Sequence, residues 1–343
     1  MNMKTVSAAA AAVALVGCCS YCGGSAEQVA DEKPKCGFFD EGDPVVGNWG
    51  MKLPYEEMSA GHMIVSRGED GAPRALVLWR WAHPVPAKSC EIDGTDFRVV
   101  IGHGGGIEFA GRVEGNSFFG KARRLKDGSE LGDVYGWRNP PVCPRASTKD
   151  AKFGRPIDLL ARGLDGWKAM DPDAKFGWSM SVENGERILS NKLGLKPDGS
   201  WAGGGTNLAT DRSDFFDFNL EYDVRVPKGS NSGVYLRGRY ECQVVDSYGK
   251  EPGYLNMAAI YGRLVPSKAA EKAPGEWQHV SVTLFRRHVT VVLNGETIID
   301  DEPLLGVTGG AIDADERAMG PIYLQGDHSD ADYKNMILRK AVN

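Results

Sequence analysis

Apolar and polar positions alternate with a period of two along much of this chain. Phe218, Leu220, Tyr222, Val224 and Val226 alternate with Asn219, Glu221, Asp223 and Arg225. Successive side chains of a strand point to opposite faces, so this run predicts a strand with one buried face. In the front half, residues 74–81, 97–101, 107–113 and 117–122 are short apolar or alternating runs. Glycine-rich breaks separate them, including 102–106 and 114–116, which predicts strands joined by tight turns. In the back half, residues 277–284 and 288–299 predict consecutive strands around Arg286 and Arg287. Asn294-Gly295 predicts a hairpin turn of the I′ kind inside the second of these runs. Residues 321–325 and 333–338 complete the set, and 268–272 predict one helical turn.

These elements group into two units. Residues 43–140 predict a small antiparallel β-domain, either a meander or a partial lipocalin-like barrel. Pro140, Pro141 and Pro144, followed by the polar stretch 145–155, predict a linker over residues 141–156. Residues 157–341 predict a two-sheet sandwich or jelly roll. Composition agrees with an all-β chain, since 44 of the 343 residues are glycine and 18 are proline. A chain that is 42% hydrophobic and 25% charged is neither wholly disordered nor collagen-like, and it is not a polytopic membrane protein. The formal net charge of −6 gives no basic field for nucleic acid.

The first residues read as an address. Lys4 precedes an apolar, alanine-rich run, residues 6–16, too short to span a bilayer and suited to a signal peptide. The run ends at Leu15-Val16-Gly17-Cys18, which resembles a bacterial lipobox. That resemblance implies residues 1–18 as a lipoprotein signal, lipid on Cys18, and anchorage at the periplasmic or outer face of a bacterial envelope. Ordinary secretion with cleavage near Ser25-Ala26 is the alternative. Residues 19–42 then read as a flexible tether. Export allows a disulfide among Cys36, Cys90 and Cys143, while Cys242 alternates within a strand and reads as a buried thiol.

Two neighbouring runs carry the chemistry. In residues 231–238, Val234 and Leu236 face one side while Tyr235 and Arg237 face the other. In residues 240–246, Cys242 and Val244 oppose Glu241 and Gln243. The polar face lacks lysine and joins tyrosine, arginine, glutamate and glutamine. From the pattern alone it is either a solvated face or a sugar cleft, where rings stack and hydroxyls need paired donors and acceptors.

Residues 157–340 resemble the 3-keto-disaccharide hydrolase domain. The matching pieces run in order: 159–167, 218–226, Asn231-Ser232-Gly233-Val234-Tyr235-Leu236-Arg237-Gly238, 240–246, Ala259-Ile260-Tyr261-Gly262, Gly275-Glu276-Trp277, Leu293-Asn294-Gly295, 320–328 and 333–336. Asp223 stands where glutamate is usual, Gln278 where asparagine is common and Lys334 where arginine is found. The resemblance implies a concanavalin-like, glycoside-hydrolase-16-like jelly roll.

It also implies cleavage of 3-keto-glycosides. The E-x-D-x-x-E signature of laminarinase-type glycosidases is absent from the sequence, which argues against simple acid–base hydrolysis of an unmodified glycan. A C3 ketone instead makes the C2 proton acidic, so a base can form an enolate and the C1 substituent can leave. This needs a base, donors at the keto oxygen and an acid for the leaving group. On that resemblance Glu241 is the base or a metal-binding carboxylate, Arg237 stabilises the enolate, and His328 is the acid. Asn231, Gln243 and Gln325 bind sugar hydroxyls, Tyr261 is a second acid or a stacking ring, and Asp223 and Arg225 line the cleft or pair structurally. A divalent cation is a candidate cofactor, with Glu241, Asp246 and His328 foremost and Asp327 and Asp330 nearby. An oxidoreductase that makes the keto sugar is functionally implied. The rival readings are a tethered lectin-like carbohydrate-binding module, and a scaffold that docks a partner through its front unit.

Overall fold

The computed structural model describes residues 42–143 and 146–343. The signal, the lipidation site Cys18 and the tether expected over residues 1–41 lie outside these residues. No helix of the described chain is long and apolar enough to cross a membrane.

The front unit is a nine-stranded antiparallel sheet. Its strands are β1 (Gly47–Lys52), β2 (Ala60–Arg67), β3 (Pro73–Trp79), β4 (Val85–Pro86), β5 (Ser89–Asp93), β6 (Asp96–Ile101), β7 (Ile107–Glu114), β8 (Ser117–Arg124) and β9 (Glu130–Arg138). They lie in the order β4-β3-β2-β1-β9-β8-β7-β6-β5. The ends of that order are adjacent in sequence. Ala87 N–H donates to Ala75 O of β3, and Lys88 N–H donates to Val100 O of β6. Residues 85–93 therefore act as one bent strand that pairs both edges, and the sheet closes into a barrel. Trp49, Met63, Val77, Phe97, Phe109 and Phe118 fill it.

The back unit is a sandwich. An eight-stranded sheet holds β10 (Phe153–Asp158), β12 (Trp178–Glu183), β13 (Glu186–Asn191), β15 (Phe218–Arg225), β18 (Gln278–Phe285), β19 (His288–Leu293), β20 (Glu296–Pro303) and β22 (Ala331–Ala341). A five-stranded sheet holds β11 (Trp167–Ala169), β14 (Leu208–Thr210), β16 (Asn231–Leu236), β17 (Tyr240–Val245) and β21 (Tyr323–Leu324), in the order β11-β14-β21-β16-β17. Alternation decides what lies between the sheets. Phe218, Leu220, Tyr222 and Val224 of β15 meet Val234, Leu236, Cys242 and Val244 in one buried core. Each such aliphatic side chain contributes roughly 1.5–3 kcal/mol by burial. Tyr222 hydroxyl donates to the Cys242 thiol across the core at 3.4 Å, so Cys242 is a buried free thiol.

Both predicted two-residue turns are present. Asn294 (φ 52°) and Gly295 (φ 88°) join β19 to β20, and Arg286 (φ 49°) with Arg287 (φ 63°) joins β18 to β19. One sequence expectation fails. Residues 268–272 form a bend and extended chain, with no helical turn. Cys143 is disulfide-bonded, as a bridge within the expected set requires, while Cys90 is a free thiol and takes no part in it; Cys36 lies outside the described residues. The segment expected as a linker, residues 141–156, makes fixed contacts with the back unit: Thr148 N–H donates to Asp301 Oδ1 at 2.7 Å, and β10 begins at Phe153 and pairs with β22.

The barrel packs directly on the sandwich. Ala60 and Leu78 of the barrel belong to the sandwich core, and Trp137 packs against it. Buried polar groups at the junction make specific contacts. Buried His62 meets Asn48 Oδ1 at 2.6 Å, and burial, then Arg263 and Arg287, hold it well below the usual imidazole range. Glu316 accepts from Tyr240 hydroxyl at 2.7 Å and from Arg287 at 3.1 Å.

Candidate active site

The outer face of the five-stranded sheet is the second product of alternation. β16 and β17 pair so that Tyr235 lies opposite Glu241 and Gly233 opposite Gln243. β21 places Tyr323 beside Tyr235 on the other side. Asn231, Tyr235, Glu241, Gln243, Tyr323 and Gln325 consequently share one face and line a cleft of about 290 Å³. His328 with Asp327, Tyr261, Asn207, Gly309 and Gly310 line it too, as do Met58, Trp81 and Ala82 of the barrel.

Glu241 is the buried carboxyl of this cleft, 3% exposed. It lies against Gly233, where a Cβ would stand 2.3 Å from Glu241 Oε1. Only a glycine at position 233 leaves the carboxyl that space. Burial pushes the Glu241 carboxyl up to about 8, the Tyr235 hydroxyl draws it back, and the charge of Asp327 raises it further.

Tyr235 has one hydroxyl hydrogen and two acceptors in reach, Glu241 Oε2 and the Gly309 carbonyl, each at 2.9 Å. When Glu241 is protonated, tyrosine donates to Gly309 and receives the carboxyl proton. When Glu241 is ionised, the hydroxyl turns to the carboxylate. The Tyr235 ring is stacked on Tyr323 at 3.8 Å, and Tyr323 donates to the Gly310 carbonyl at 2.6 Å. The two rings therefore hold Glu241 between strand and loop.

His328 stands at the half-exposed rim. Its Nδ1 meets Asp327 Oδ1 at 2.6 Å, and that bond raises the imidazole above its usual range. Two acceptors in the cleft, Asn231 Oδ1 and Gln325 Oε1, are buried and have no hydrogen-bond partner among the described residues. Buried amide oxygens are normally paired, so these two ask for donors from a ligand. Sugar hydroxyls are such donors.

Of the residues expected from sequence, Glu241, His328, Asn231, Gln243, Tyr261 and Gln325 meet in the cleft. The remaining assignments are corrected. Arg237 follows the last residue of β16 with a left-handed backbone (φ 54°), which turns its side chain off the alternating face. The guanidinium is fully buried, donates to Tyr240 hydroxyl at 2.9 Å and to Glu316 O at 3.2 Å, and does not line the cleft. Asp223 and Arg225 lie on the outer face of the other sheet. Asp223 bonds His279 at 2.7 Å and Asn335 at 2.8 Å, and Arg225 bonds Asp332 at 2.8 Å above the Trp277 ring. They pair structurally and do not reach the cleft.

The expected cation set is not assembled. Asp246 accepts Gly229 N–H at 2.8 Å, and Asp330 accepts Leu193 N–H at 2.7 Å. Among the described residues no three His, Cys, Asp or Glu side chains converge as a metal site.

Sequence reasoning missed Tyr323, Asn207, the Gly309–Gly310 carbonyls and the three barrel residues. Tyr323 was within reach, because Ile322-Tyr323-Leu324-Gln325 alternates and puts Tyr323 on the face of Gln325. The barrel residues carry no such signal.

A sheet face that bears a buried carboxyl among amides and tyrosines offers the donors, acceptors and rings that a sugar needs. Residues 157–339, more than half of the chain, match the 3-keto-alpha-glucoside-1,2-lyase-like domain, and the chain belongs to that family. Among solved structures, the chain is similar to two candidate glycosyl hydrolases from Parabacteroides distasonis ATCC 8503. One is 24% identical, covering 54% of this chain and 83% of that one with a TM-score of 0.40. The other is 22% identical, covering 55% and 100% with a TM-score of 0.40. A carbohydrate-binding module from Bacillus subtilis is 15% identical, covering 51% and 96% with a TM-score of 0.31. No curated protein matches the chain.

Proposed function

We propose that this protein cleaves the glycosidic bond of 3-keto-glycosides, 3-keto-disaccharides among them, by elimination followed by hydration. The observation that carries the reading is Glu241, a buried carboxyl on the cleft face whose proton affinity is raised to about 8. A carboxylate of that basicity is better matched to a C–H beside a ketone than an ordinary exposed one.

In this scheme Glu241 takes the proton from C2. The C–H electrons form the enolate, with its negative charge on the C3 oxygen. Arg237 is sealed away, so the donors for that oxygen come from the cleft: Tyr261 hydroxyl and the amide N–H groups of Gln243, Gln325 and Asn231. The enolate electrons then return to make the C1–C2 double bond. The C1–O bond breaks, and protonated His328, held by Asp327, gives its proton to the departing oxygen. Water adds across the double bond to give the 3-keto sugar. The reaction class that must supply the substrate is a C3-hydroxyl oxidation by a separate oxidoreductase. We further infer from residues 1–18 that the chain is exported and lipid-anchored through Cys18.

Product analysis with a 3-keto-glucoside and its unoxidised parent tests the reading. Release of 3-keto-glucose from the oxidised substrate alone is expected, and the same assay with a chelator tests for a cation. Cleavage of the unoxidised sugar would overturn the elimination. Sugar binding without cleavage of either would leave a tethered binding module, which the unpaired Asn231 and Gln325 oxygens also fit.

A further inference from the structure

The cleft lining has two parts of different chemistry, built by different units. The sheet part is polar, with Glu241, Gln243, Asn231 and Gln325. The barrel adds apolar lining: Met58, packed on the Ala209–Tyr235–Tyr323 cluster, together with Trp81 and Ala82. Trp81 is 41% exposed although its neighbour Trp79 is buried.

The backbone holds this indole out deliberately. Arg80 (φ 67°) and Ala82 (φ 62°) both adopt the left-handed conformation, which non-glycine residues rarely take. Two such residues flanking one exposed aromatic are the kind of local strain that persists where the surroundings over-determine it. Here they do. Arg80 O accepts from Gly310 N–H at 2.9 Å, Trp81 N–H donates to Trp79 O at 2.8 Å, and the Arg80 guanidinium lies over both the Tyr55 ring at 4.4 Å and the Trp81 ring at 4.9 Å. Gly309 packs so closely beneath that a Cβ there would stand 2.2 Å from Ala82 O. Trp81 is thus a half-exposed aromatic on an anchored backbone in the lining of a polar cleft.

We propose that Trp81, backed by Met58 and Ala82, is the subsite for the leaving group, and that it stacks on the apolar face of a six-membered ring beyond the scissile bond. The inference rests on the proposed function and names its substrate class: glycosides whose leaving group is itself a ring, sugar or aryl, over simple alkyl glycosides. The polar lining offers unpaired acceptors, which suit the hydroxyl-rich ring that reacts. The apolar lining offers area and no hydrogen bonds, which suits the ring that departs.

The test compares wild type, Trp81→Ala and Trp81→Phe on a 3-keto-disaccharide, an aryl 3-keto-glucoside and a methyl 3-keto-glucoside. The ratio of kcat/KM for either ring-bearing substrate over the methyl glycoside falls about tenfold in Trp81→Ala, the scale of one lost stacking contact. Trp81→Phe recovers most of it, and the melting temperature of both variants stays near wild type. The disaccharide and aryl arms tell which ring Trp81 prefers. An unchanged ratio, or an equal loss on all three substrates, overturns the subsite. Calorimetric titration with the unoxidised disaccharide separates the two readings. Binding that Trp81→Ala abolishes, in a protein that cleaves nothing, removes the proposed reaction and keeps the stacking site. Equal disaccharide binding by wild type and Trp81→Ala removes the stacking site whatever the turnover.

Discussion

Tyr235 and Glu241 face each other across the β16–β17 pair, hydroxyl to Oε2 at 2.9 Å, and that contact opposes the rise in proton affinity that burial imposes on the carboxyl. Burial raises the carboxyl and the tyrosine lowers it. Tyr235→Phe therefore moves the acidic limb of the pH–rate profile to higher pH. The variant loses about 1 kcal/mol of stability with the hydrogen bond. A limb that stays in place under a full pH titration of kcat/KM would show that Glu241 does not control it.

Glu241→Gln removes the base and keeps the shape. Turnover of a 3-keto-glycoside falls by about 10²–10⁴-fold, the span of general-base catalysis. Stability changes with a definite sign. The folded pKa is raised to about 8 from the ordinary glutamate value of 4.5, so the native state binds more protons across that window. The contribution is fully present below about 4.5 and is lost as pH rises through 8. Chemical denaturation at pH 5 and pH 8.5 should show this pH dependence reduced in the variant.

Gly233→Ala tests the space beneath the carboxyl. The strand is extended at this position, so backbone strain is not the issue. The new methyl would stand 2.3 Å from Glu241 Oε1 and force the carboxylate aside. Activity falls toward that of Glu241→Gln, and stability falls by about 1–3 kcal/mol, the ordinary range for overpacking. Normal activity in this variant would mean that the carboxyl has another resting place.

Asp327→Asn moves two groups with one change. Asp327 raises His328 by a hydrogen bond and raises Glu241 through its charge. Without the charge both groups titrate lower, so both limbs of the pH–rate profile shift to lower pH. A shift of one limb alone would separate His328 from the reaction.

How much of this was legible follows from where each residue sits. Alternation on β15, β16 and β17 is a local property, so Asn231, Glu241 and Gln243 could be placed on one face from sequence. Asp223 and Arg225 obey the same rule, but periodicity does not say which sheet a strand joins, and theirs faces solvent on the other layer. Arg237 failed because the parity of a strand ends with the strand; one left-handed residue at a turn reverses the direction of its side chain. The closure of the barrel depended on the bent segment 85–93, which pairs with residues on both sides of it in sequence. Trp81 was invisible for a deeper reason. Its position in the cleft lining depends on how two units dock, through contacts more than two hundred residues apart in the chain.

Gly309 and Gly310 join those distant parts. Their carbonyls receive Tyr235 and Tyr323 from the sheet, and the Gly310 amide holds Arg80 of the barrel. The contact between barrel and sandwich therefore runs through that pair of glycines as well as along the chain at residues 141–156. A chimera that grafts a foreign barrel at the proline-rich segment will inherit a working joint only if its incoming loop offers a carbonyl where Arg80 does. A library that varies residues 80–82 while sparing the glycines would instead explore leaving-group preference without disturbing the seat of the acid and base.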